Sequence, residues 1–156
     1  MLNPLQKKLL EMFAWLTAFM EKNNIRYYAM GGTALGAARH QGFIPWDDDI
    51  DLLMPREDYD KLLSVASKEF EHPYFLQTMH NDPYYTNRHA QLRNDNTMAR
   101  GAKQTRYKYN SGIFIDIFPL DYMPASPRAF KNHYKEISGL KAYMKFVRKL
   151  LFKLPK

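Results

Sequence analysis

The spacing of hydrophobic residues along the 156-residue chain predicts four helices. Asn3 and Pro4 mark the first start, because an asparagine side chain caps free backbone N–H groups and proline is tolerated at the first helical position. Leu9, Met12 and Leu16 then recur at helical spacing. The predicted helices cover residues 4–24, 33–40 and 58–70, with a last one from residue 130 onward.

Short aromatic and β-branched runs between these helices predict five strands, at residues 25–30, 49–54, 74–78, 90–93 and 112–118. The last run is apolar except for Asp116. Residues 99–111 are rich in basic side chains, and we expect a mobile loop there. Helices alternating with strands indicate an α/β or α+β domain with a small mixed sheet flanked by helices.

Composition narrows the possible chemistry. A content of 46% hydrophobic and 25% charged residues is typical of a soluble globular domain. Because cysteine is absent, disulfides, thiolate nucleophiles and cysteine zinc sites are excluded, and any metal must be bound by oxygen or imidazole. No signal-peptide pattern and no apolar stretch of about 20 residues occurs, so we expect neither export by a signal peptide nor a membrane span.

The net charge of +7 is concentrated at one end of the chain. From Ala125 onward, nine lysines and arginines accompany a single acid, Glu136, whereas the preceding residues are close to neutral. We therefore predict a catalytic core over residues 1–124 and a basic amphipathic helix over 125–156. That helix is a docking face for a further segment, a membrane-surface helix or, least favoured because the body is neutral, a nucleic-acid contact.

Four aspartates lie within five positions, at Asp47, Asp48, Asp49 and Asp51. Like charges this close repel, and a divalent cation is a natural counter-charge. Since residues two apart in a strand share a face, Asp49 and Asp51 should project together. Asp47 has the same parity but precedes the strand, and Asp48 points away if the strand begins that early. Hard oxygen ligands on a rigid strand suit magnesium, whereas the alternative is a solvated acidic turn.

Asp116 is a charged residue within an apolar strand, flanked by Ile115 and Ile117. Burying such a carboxylate without a partner is costly. We predict that it completes a carboxylate triad from a neighbouring strand, and the alternative is a strand-end aspartate that faces water.

The sequence Tyr-Ala-Met-Gly-Gly-Thr at residues 28–33 predicts a strand, a glycine turn and a helix start. Gly31 and Gly32 would let a phosphate approach the backbone, and the N–H groups at the helix start near Thr33 favour an anion. A glycine pair alone is more often only a tight turn. Its place about 16 residues before the aspartate pair makes the pattern specific.

Other side chains are weaker candidates. The five histidines lack a spacing that would gather several on one metal, so surface or loop positions are expected for them, and only His40 lies near the predicted site. For Trp46 a core or loop-anchoring role is favoured over stacking on a base. A tyrosine-rich group is either a wall of a nucleotide or acceptor cleft or a polar loop without such a function, and it comprises Tyr84, Tyr85, Arg106, Tyr107, Lys108 and Tyr109.

The order of glycine turn, carboxylate pair and later single carboxylate resembles the nucleotidyltransferase-fold superfamily. More narrowly, GGTALGAARHQGFIPWDDDIDLLMPREDYDKLL and the later GIFIDIFPLD resemble the LicD family, which transfers phosphorylcholine and related phosphodiesters in cell-surface glycan assembly. The resemblance extends from about Ile25 to Tyr122. Members of the family usually continue further at the C-terminus.

The resemblance implies transfer of a substituted phosphate from a CDP-activated alcohol, such as CDP-choline, to a sugar hydroxyl of a lipid-linked glycan, lipopolysaccharide or teichoic-acid-type precursor. CMP would leave, assisted by Mg²⁺ or Mn²⁺. Arg39 and Arg93 fall on motif positions and are expected to meet phosphate oxygens. The implied metal ligands are Asp47, Asp49, Asp51 and Asp116.

The residues expected to act in the reaction are Asp49, Asp51 and Asp116, and Asp116 either binds the metal or accepts a proton from the acceptor hydroxyl. Two other functions stay open. One is nucleotidyl transfer from an NTP to a small molecule or RNA, with pyrophosphate as the leaving group. The other is a non-catalytic fragment with a scaffolding or membrane-docking role. The expected location is the cytoplasm, with peripheral contact at the membrane.

Overall fold

The computed structural model describes residues 2–99 and 110–151. The helices are α1 (Pro4–Lys22), α2 (Gly31–His40), α3 (Arg56–Glu69) and α4 (Pro127–Leu151). The strands are β1 (Tyr28–Ala29), β2 (Asp51–Pro55), β3 (Tyr74–Gln77), β4 (Ala90–Asn94) and β5 (Ile113–Leu120). Met1–Leu120 forms one compact unit and Asp121–Lys156 a second.

The strands form one five-stranded sheet in the order β1-β2-β5-β4-β3. The β2–β5 pair is parallel, and the other three pairs are antiparallel. The small mixed sheet predicted from the sequence is therefore confirmed. The register of the parallel pair places two of the predicted site residues, Asp51 and Asp116, beside each other.

The two faces of the sheet differ in polarity, because successive side chains of a strand point to opposite faces. One face contributes apolar side chains to a core that also receives Leu9, Met12 and Leu16 of α1. These strand residues are Leu52, Met54, Leu76, Leu92, Ile115 and Ile117. The other face carries a polar row, in register across four strands, of Asp51, Asp116, Gln91 and Gln77.

Helix α1 begins as predicted, with a reciprocal cap. The Asn3 side chain accepts a hydrogen bond from the Gln6 backbone N–H at 2.9 Å, and the Gln6 side chain accepts one from the Asn3 N–H at 3.1 Å. The buried stripe contains the predicted Leu9, Met12 and Leu16 and also Gln6 and Met20, whereas Leu5 is only partly buried. Gln6 is tolerated in this position because its amide is fully used, as described below.

The boundaries of β1 and α2 differ from the prediction. Only Tyr28–Ala29 of the predicted 25–30 strand pairs in the sheet, because the Ile25 N–H bonds the Met20 carbonyl at 2.9 Å and closes α1. Helix α2 begins at Gly31 rather than Thr33, so the glycine pair forms the first turn of the helix instead of a turn before it.

The unit Asp121–Lys156 contains α4, which starts at Pro127 rather than Phe130 because the Ser126 hydroxyl accepts a hydrogen bond from the Ala129 N–H at 3.2 Å. Its basic side chains Lys131, Lys135 and Lys141 are exposed. Among the described residues, none of the helices is apolar and long enough to cross a membrane. The loop predicted over 99–111 lies largely outside the described residues, as do Arg106, Tyr107, Lys108 and Tyr109.

Candidate active site

The acidic run forms a compact cluster in the loop that precedes β2. Carboxylate oxygens of Asp47, Asp48 and Asp49 lie within 4.8 Å of one another, with Asp48 exposed and the other two half-buried. The strand begins only at Asp51, so strand alternation does not apply to the three residues before it. For that reason Asp48 joins the cluster, which the sequence pattern did not predict.

Gln6 of α1 holds this loop. Its side-chain amide donates hydrogen bonds to the carbonyls of Ile44 and Pro45, both at 3.3 Å, and to the carbonyl of Asp47 at 2.9 Å. Within the loop, the Asp47 N–H donates to the Ile44 carbonyl at 2.9 Å. Because Gln6 is 2% exposed, the loop that carries the carboxylates is held from the protein interior.

The start of α2 is bonded directly to Asp51. The Asp51 N–H donates to the Thr33 hydroxyl at 2.9 Å, and the Met30 N–H donates to the Asp51 carbonyl at 3.0 Å. Thr33, predicted to hold phosphate, therefore lies at the site. Its hydroxyl also fixes the backbone of β2 at Asp51.

The two glycines at the start of α2 lie against carboxylates. A Cβ atom on Gly32 would lie 2.6 Å from Asp47 Oδ2, and one on Gly31 would lie 3.6 Å from Asp51 Oδ2. Gly31 also has a φ of +55°, a conformation that favours glycine. The close approach that glycine permits here is made by the Asp47 carboxylate, at the positive end of the α2 dipole.

Asp116 is partly buried on the polar face of the sheet, with its side chain 15% exposed. Its Oδ1 accepts hydrogen bonds from His89 Nε2 at 2.8 Å and from Gln91 Nε2 at 2.6 Å. Since a carboxylate can only accept, the imidazole hydrogen in this bond lies on His89 Nε2. The partners that the sequence required for a buried Asp116 are thus present.

His89 lies in the loop that precedes β4, as expected for the histidines, but it also contacts Asp116, which the sequence did not predict. Its side chain is 19% exposed and its ring lies 4.3 Å from that of Phe118. The buried Tyr85 hydroxyl donates to the His89 carbonyl at 3.0 Å. No sequence signal identifies His89, because only the sheet register brings it to Asp116.

Burial and the neighbouring carboxylates raise the pKa values of Asp49 and Asp51. Partial burial raises the pKa of the Asp49 carboxyl to about 6, and the charge of Asp51 is the next largest cause, ahead of the other site aspartates. Burial, followed by the charges of Asp116 and Asp47, also raises the pKa of Asp51. Asp51 and Asp116 therefore act electrostatically with the tight three-carboxylate cluster although they are not members of it.

Arg39 and His40 are not brought to the carboxylates. Both are exposed in the last turn of α2, whereas the first turn of that helix meets the site. At about 1.5 Å per residue, Arg39 lies roughly 12 Å along the helix from Gly31. Of the core or loop-anchoring roles favoured for Trp46, the core position is wrong, because this side chain is 83% exposed beside the acidic cluster.

Arg93 lies inside the polar face of the sheet and is 4% exposed. Its Nε donates to Gln77 Oε1 at 2.8 Å and its Nη1 to the Gly112 carbonyl at 2.7 Å, while the guanidinium lies 4.5 Å from the centre of the Phe114 ring. The predicted contact of Arg93 with phosphate stays a prediction, and the structure places its guanidinium among protein groups.

A mixed sheet flanked by helices, with carboxylates on two adjacent strands, defines an α+β domain of the nucleotidyltransferase-like class. Residues 24–156 match the family model described as LicD/FKTN/FKRP, nucleotidyltransferase domain. The chain belongs to this family.

Curated relatives agree with this assignment. The chain is 36% identical over 120 residues to the lipopolysaccharide cholinephosphotransferase LicD of Haemophilus influenzae, a match that covers 76% of this chain and 44% of that protein. It is 42% identical over 52 residues to the human ribitol 5-phosphate transferase FKRP, covering 33% of this chain and 10% of that protein. The matched regions therefore span less than half the length of these relatives.

Proposed function

We propose that this chain carries the catalytic site of a metal-dependent transferase that moves a substituted phosphate from a CDP-activated alcohol to a hydroxyl of a glycan acceptor. The observation that carries the proposal is the convergence of the three-carboxylate cluster with Asp51 and Asp116 at the start of α2. Relatives named as a cholinephosphotransferase and a ribitol 5-phosphate transferase support this class of reaction.

The site has the donor set that a hard divalent cation requires. Its carboxylate oxygens are fixed by Gln6 and by the sheet, and burial together with the negative charges of the neighbouring aspartates raises the pKa of Asp49. Asp47, Asp49 and Asp51, with Asp116, would hold Mg²⁺ or Mn²⁺. Such an ion, when bound, neutralises charge on phosphate oxygens and lowers the pKa of a coordinated hydroxyl.

The residues around the carboxylates orient the reactants. Backbone N–H groups of Gly32 and Thr33 at the start of α2 hold the donor phosphates. Asp116, beside Asp51 in the sheet, accepts the proton of the acceptor hydroxyl. The acceptor oxygen forms a bond to the phosphorus that carries the alcohol, the bond from that phosphorus to the bridging oxygen breaks, and CMP leaves with the bond's electron pair.

The experiment is a ligand-binding series on the purified chain. Melting temperature is measured with CDP-choline, CDP-ribitol, CTP and ATP, each with and without Mg²⁺ or Mn²⁺, because a ligand bound only by the folded state raises it. Asp49→Asn with Asp51→Asn tests the site, and Asp60→Asn, on the exposed surface of α3, is the matched control.

A metal-dependent shift with the CDP-alcohols, lost in the double variant and kept in Asp60→Asn, supports the proposal. If no nucleotide shifts the melting temperature, the proposal that this chain binds the donor is overturned. Incubation with a glycan acceptor then separates the reactions, since release of CMP marks transfer of the substituted phosphate and release of pyrophosphate from CTP marks nucleotidyl transfer.

A further inference from the structure

We infer that Arg93 and Gln91 are positioning residues that fix the carboxylate of Asp116, and that Arg93 acts in this way rather than as a ligand of phosphate. The inference deepens the proposed function, since it rests on Asp116 belonging to that site. It is carried by a chain of buried hydrogen bonds on the polar face of the sheet.

The chain follows the sheet register. Gln77 of β3 is opposite Gln91 of β4, which is opposite Asp116 of β5. Arg93 lies two residues beyond Gln91 and shares its face of the sheet. Gln77, Gln91 and Arg93 are 0%, 4% and 4% exposed, so their polar groups depend on one another instead of on water.

Arg93 lies between the two glutamines and donates to both. Its Nε donates to Gln77 Oε1 at 2.8 Å, and its Nη2 donates to Gln91 Oε1. Each glutamine then donates its own amide to a carboxylate. Gln91 Nε2 bonds Asp116 Oδ1 at 2.6 Å, and Gln77 Nε2 bonds Asp82 Oδ2 at 2.7 Å.

This order of donors and acceptors leaves each amide one orientation. A guanidinium can only donate and a carboxylate can only accept, so each glutamine must turn its oxygen toward Arg93 and its nitrogen toward the carboxylate. If Gln91 were flipped, its NH₂ would face the guanidinium and its oxygen would face Asp116, which loses two buried hydrogen bonds at once. Arg93 therefore sets the direction of the Gln91 donor.

These hydrogen bonds distinguish the two carboxylate oxygens of Asp116. Among the described residues, both side-chain hydrogen bonds to this carboxylate, from Gln91 and His89, go to Oδ1. Oδ2 accepts neither of these bonds, and we assign it to the bound metal. Hydrogen bonds of this kind hold a ligating carboxylate in one orientation and tune its affinity for a metal, and losing one typically weakens metal binding about 10- to 100-fold.

The second arm of the chain provides a matched control. Gln77 and Gln91 have the same arrangement about Arg93, but Gln77 leads to Asp82, which also accepts hydrogen bonds from the backbone N–H groups of Asn110 and Tyr84. Replacing either glutamine by glutamate keeps an acceptor for Arg93 and sets a carboxylate against an aspartate. Only Gln91→Glu makes this change at Asp116.

The test measures Mn²⁺ affinity of the full chain by electron paramagnetic resonance, without nucleotide, for the wild type, Gln91→Glu, Gln77→Glu and Arg93→Lys. Thermal unfolding reports whether each variant is folded. We expect Gln91→Glu to weaken Mn²⁺ binding about 10- to 100-fold and Gln77→Glu to leave it unchanged. Arg93→Lys should also weaken it, because a lysine lacks the planar fork that reaches both glutamines.

Equal Mn²⁺ affinity in the two glutamate variants would overturn the inference. So would an Arg93→Lys protein that binds Mn²⁺ normally but loses affinity for CDP-choline, since that result describes a phosphate ligand. If Arg93→Lys does not fold, the Mn²⁺ affinities of the two glutamate variants still show whether Gln91 positions Asp116.

A wild type that binds no Mn²⁺ would instead contradict the proposed metal-dependent function. The positioning role is then decided in the metal-free protein by nuclear magnetic resonance of the side-chain amides. A shift of the Gln91 amide in Asp116→Asn, with the Gln77 amide unmoved, supports the inference, and an unmoved Gln91 amide overturns it.

Discussion

Asp49 has an acid–base behaviour that follows from its neighbours. Partial burial and the charges of the surrounding aspartates raise the pKa of its carboxyl to about 6 from an ordinary 3.8. In the metal-free protein, the folded state therefore keeps a proton that the unfolded state has released between these two pH values. Folding stability consequently falls as pH rises through this window, and the loss is complete above pH 6.

The corresponding prediction concerns Asp49→Asn. Without metal and near neutral pH, this variant should be more stable than the wild type, by on the order of 1 kcal/mol once solvent screening of a half-buried carboxyl is allowed for. The difference should shrink toward pH 4, where the wild-type carboxyl is protonated. Urea unfolding of both proteins, with chelator and at several pH values, measures this difference in the free energy of unfolding.

Asp58 provides an internal contrast for that pH series. Burial raises its pKa, but the backbone and side-chain hydrogen bonds from Arg26 and the charge of that residue outweigh burial and lower it. Its contribution to stability is lost only as pH falls below the ordinary aspartate range. A wild type and an Asp49→Asn protein with the same pH dependence from 4 to 7 would contradict the account given for Asp49.

Gly32 gives a second prediction for a single residue. An alanine Cβ at this position would lie 2.6 Å from Asp47 Oδ2, so Gly32→Ala must displace the carboxylate. We expect metal affinity or transfer rate to fall about 10- to 100-fold with little change in melting temperature, because a small displacement of a reacting group is costly. Gly42→Ala is the control, since a Cβ there meets nothing within 4 Å. Equal effects of the two variants would remove the steric explanation.

Helix α1 contributes to the site through one side chain. Gln6 both completes the helix cap and donates to three carbonyls of the loop that carries the acidic cluster. Gln6→Leu should lower the free energy of unfolding by about 1–3 kcal/mol, because three part-buried carbonyls lose their donor. It should also weaken metal binding, since the loop is released.

Asn3→Ala is the matched variant for Gln6→Leu. It removes the cap acceptor, at a cost of about 1 kcal/mol, but leaves the Gln6 amide on the loop. Chemical unfolding and Mn²⁺ titration of both variants separate the two effects. Metal affinity lowered equally in Asn3→Ala would show that helix stability, not the loop contact, supports the cluster.

The secondary structure elements were predictable where a local pattern specifies them. The capped start of α1, helix α3 and the apolar strand β5 follow from spacing, and the structure confirms them. Boundaries failed where tertiary contacts decide, as at Gly31, which enters the helix. The aspartates could be proposed from the sequence because four of them in five positions are unusual. Gln91 and His89 could not, because their proximity to Asp116 exists only after strands pair.

The two compact units of the whole molecule differ in charge. Asp121–Lys156 contains nine basic and two acidic residues, whereas the basic and acidic residues of Met1–Leu120 are equal in number. Exposed lysines on α4 are suited to an anionic membrane surface, where each contributes about 1 kcal/mol. This favours the membrane-surface interpretation of the helix, which stays a prediction.

Charge reversal on the full chain tests that interpretation. Lys131→Glu with Lys135→Glu should lower binding to vesicles containing phosphatidylglycerol about 10-fold or more, and wild-type binding should disappear at high salt. Lys7→Glu with Lys68→Glu makes the same change in net charge on exposed residues of the other unit. Co-sedimentation measures vesicle binding of both double variants. An equal loss of binding in the two would mean that net charge, and not α4, determines the binding.

The position of β5 in the sheet has a consequence for how the protein folds. This strand is the last of the five in the sequence, yet it lies in the middle, between the β1–β2 pair and the β3–β4 pair. Until β5 inserts, the sheet exists only as two separate strand pairs, and closing such distant contacts is slow. The same insertion brings Asp116 beside Asp51, so completion of the sheet and assembly of the carboxylate site are a single event. A chain interrupted before that step would have the whole acidic run but not the site.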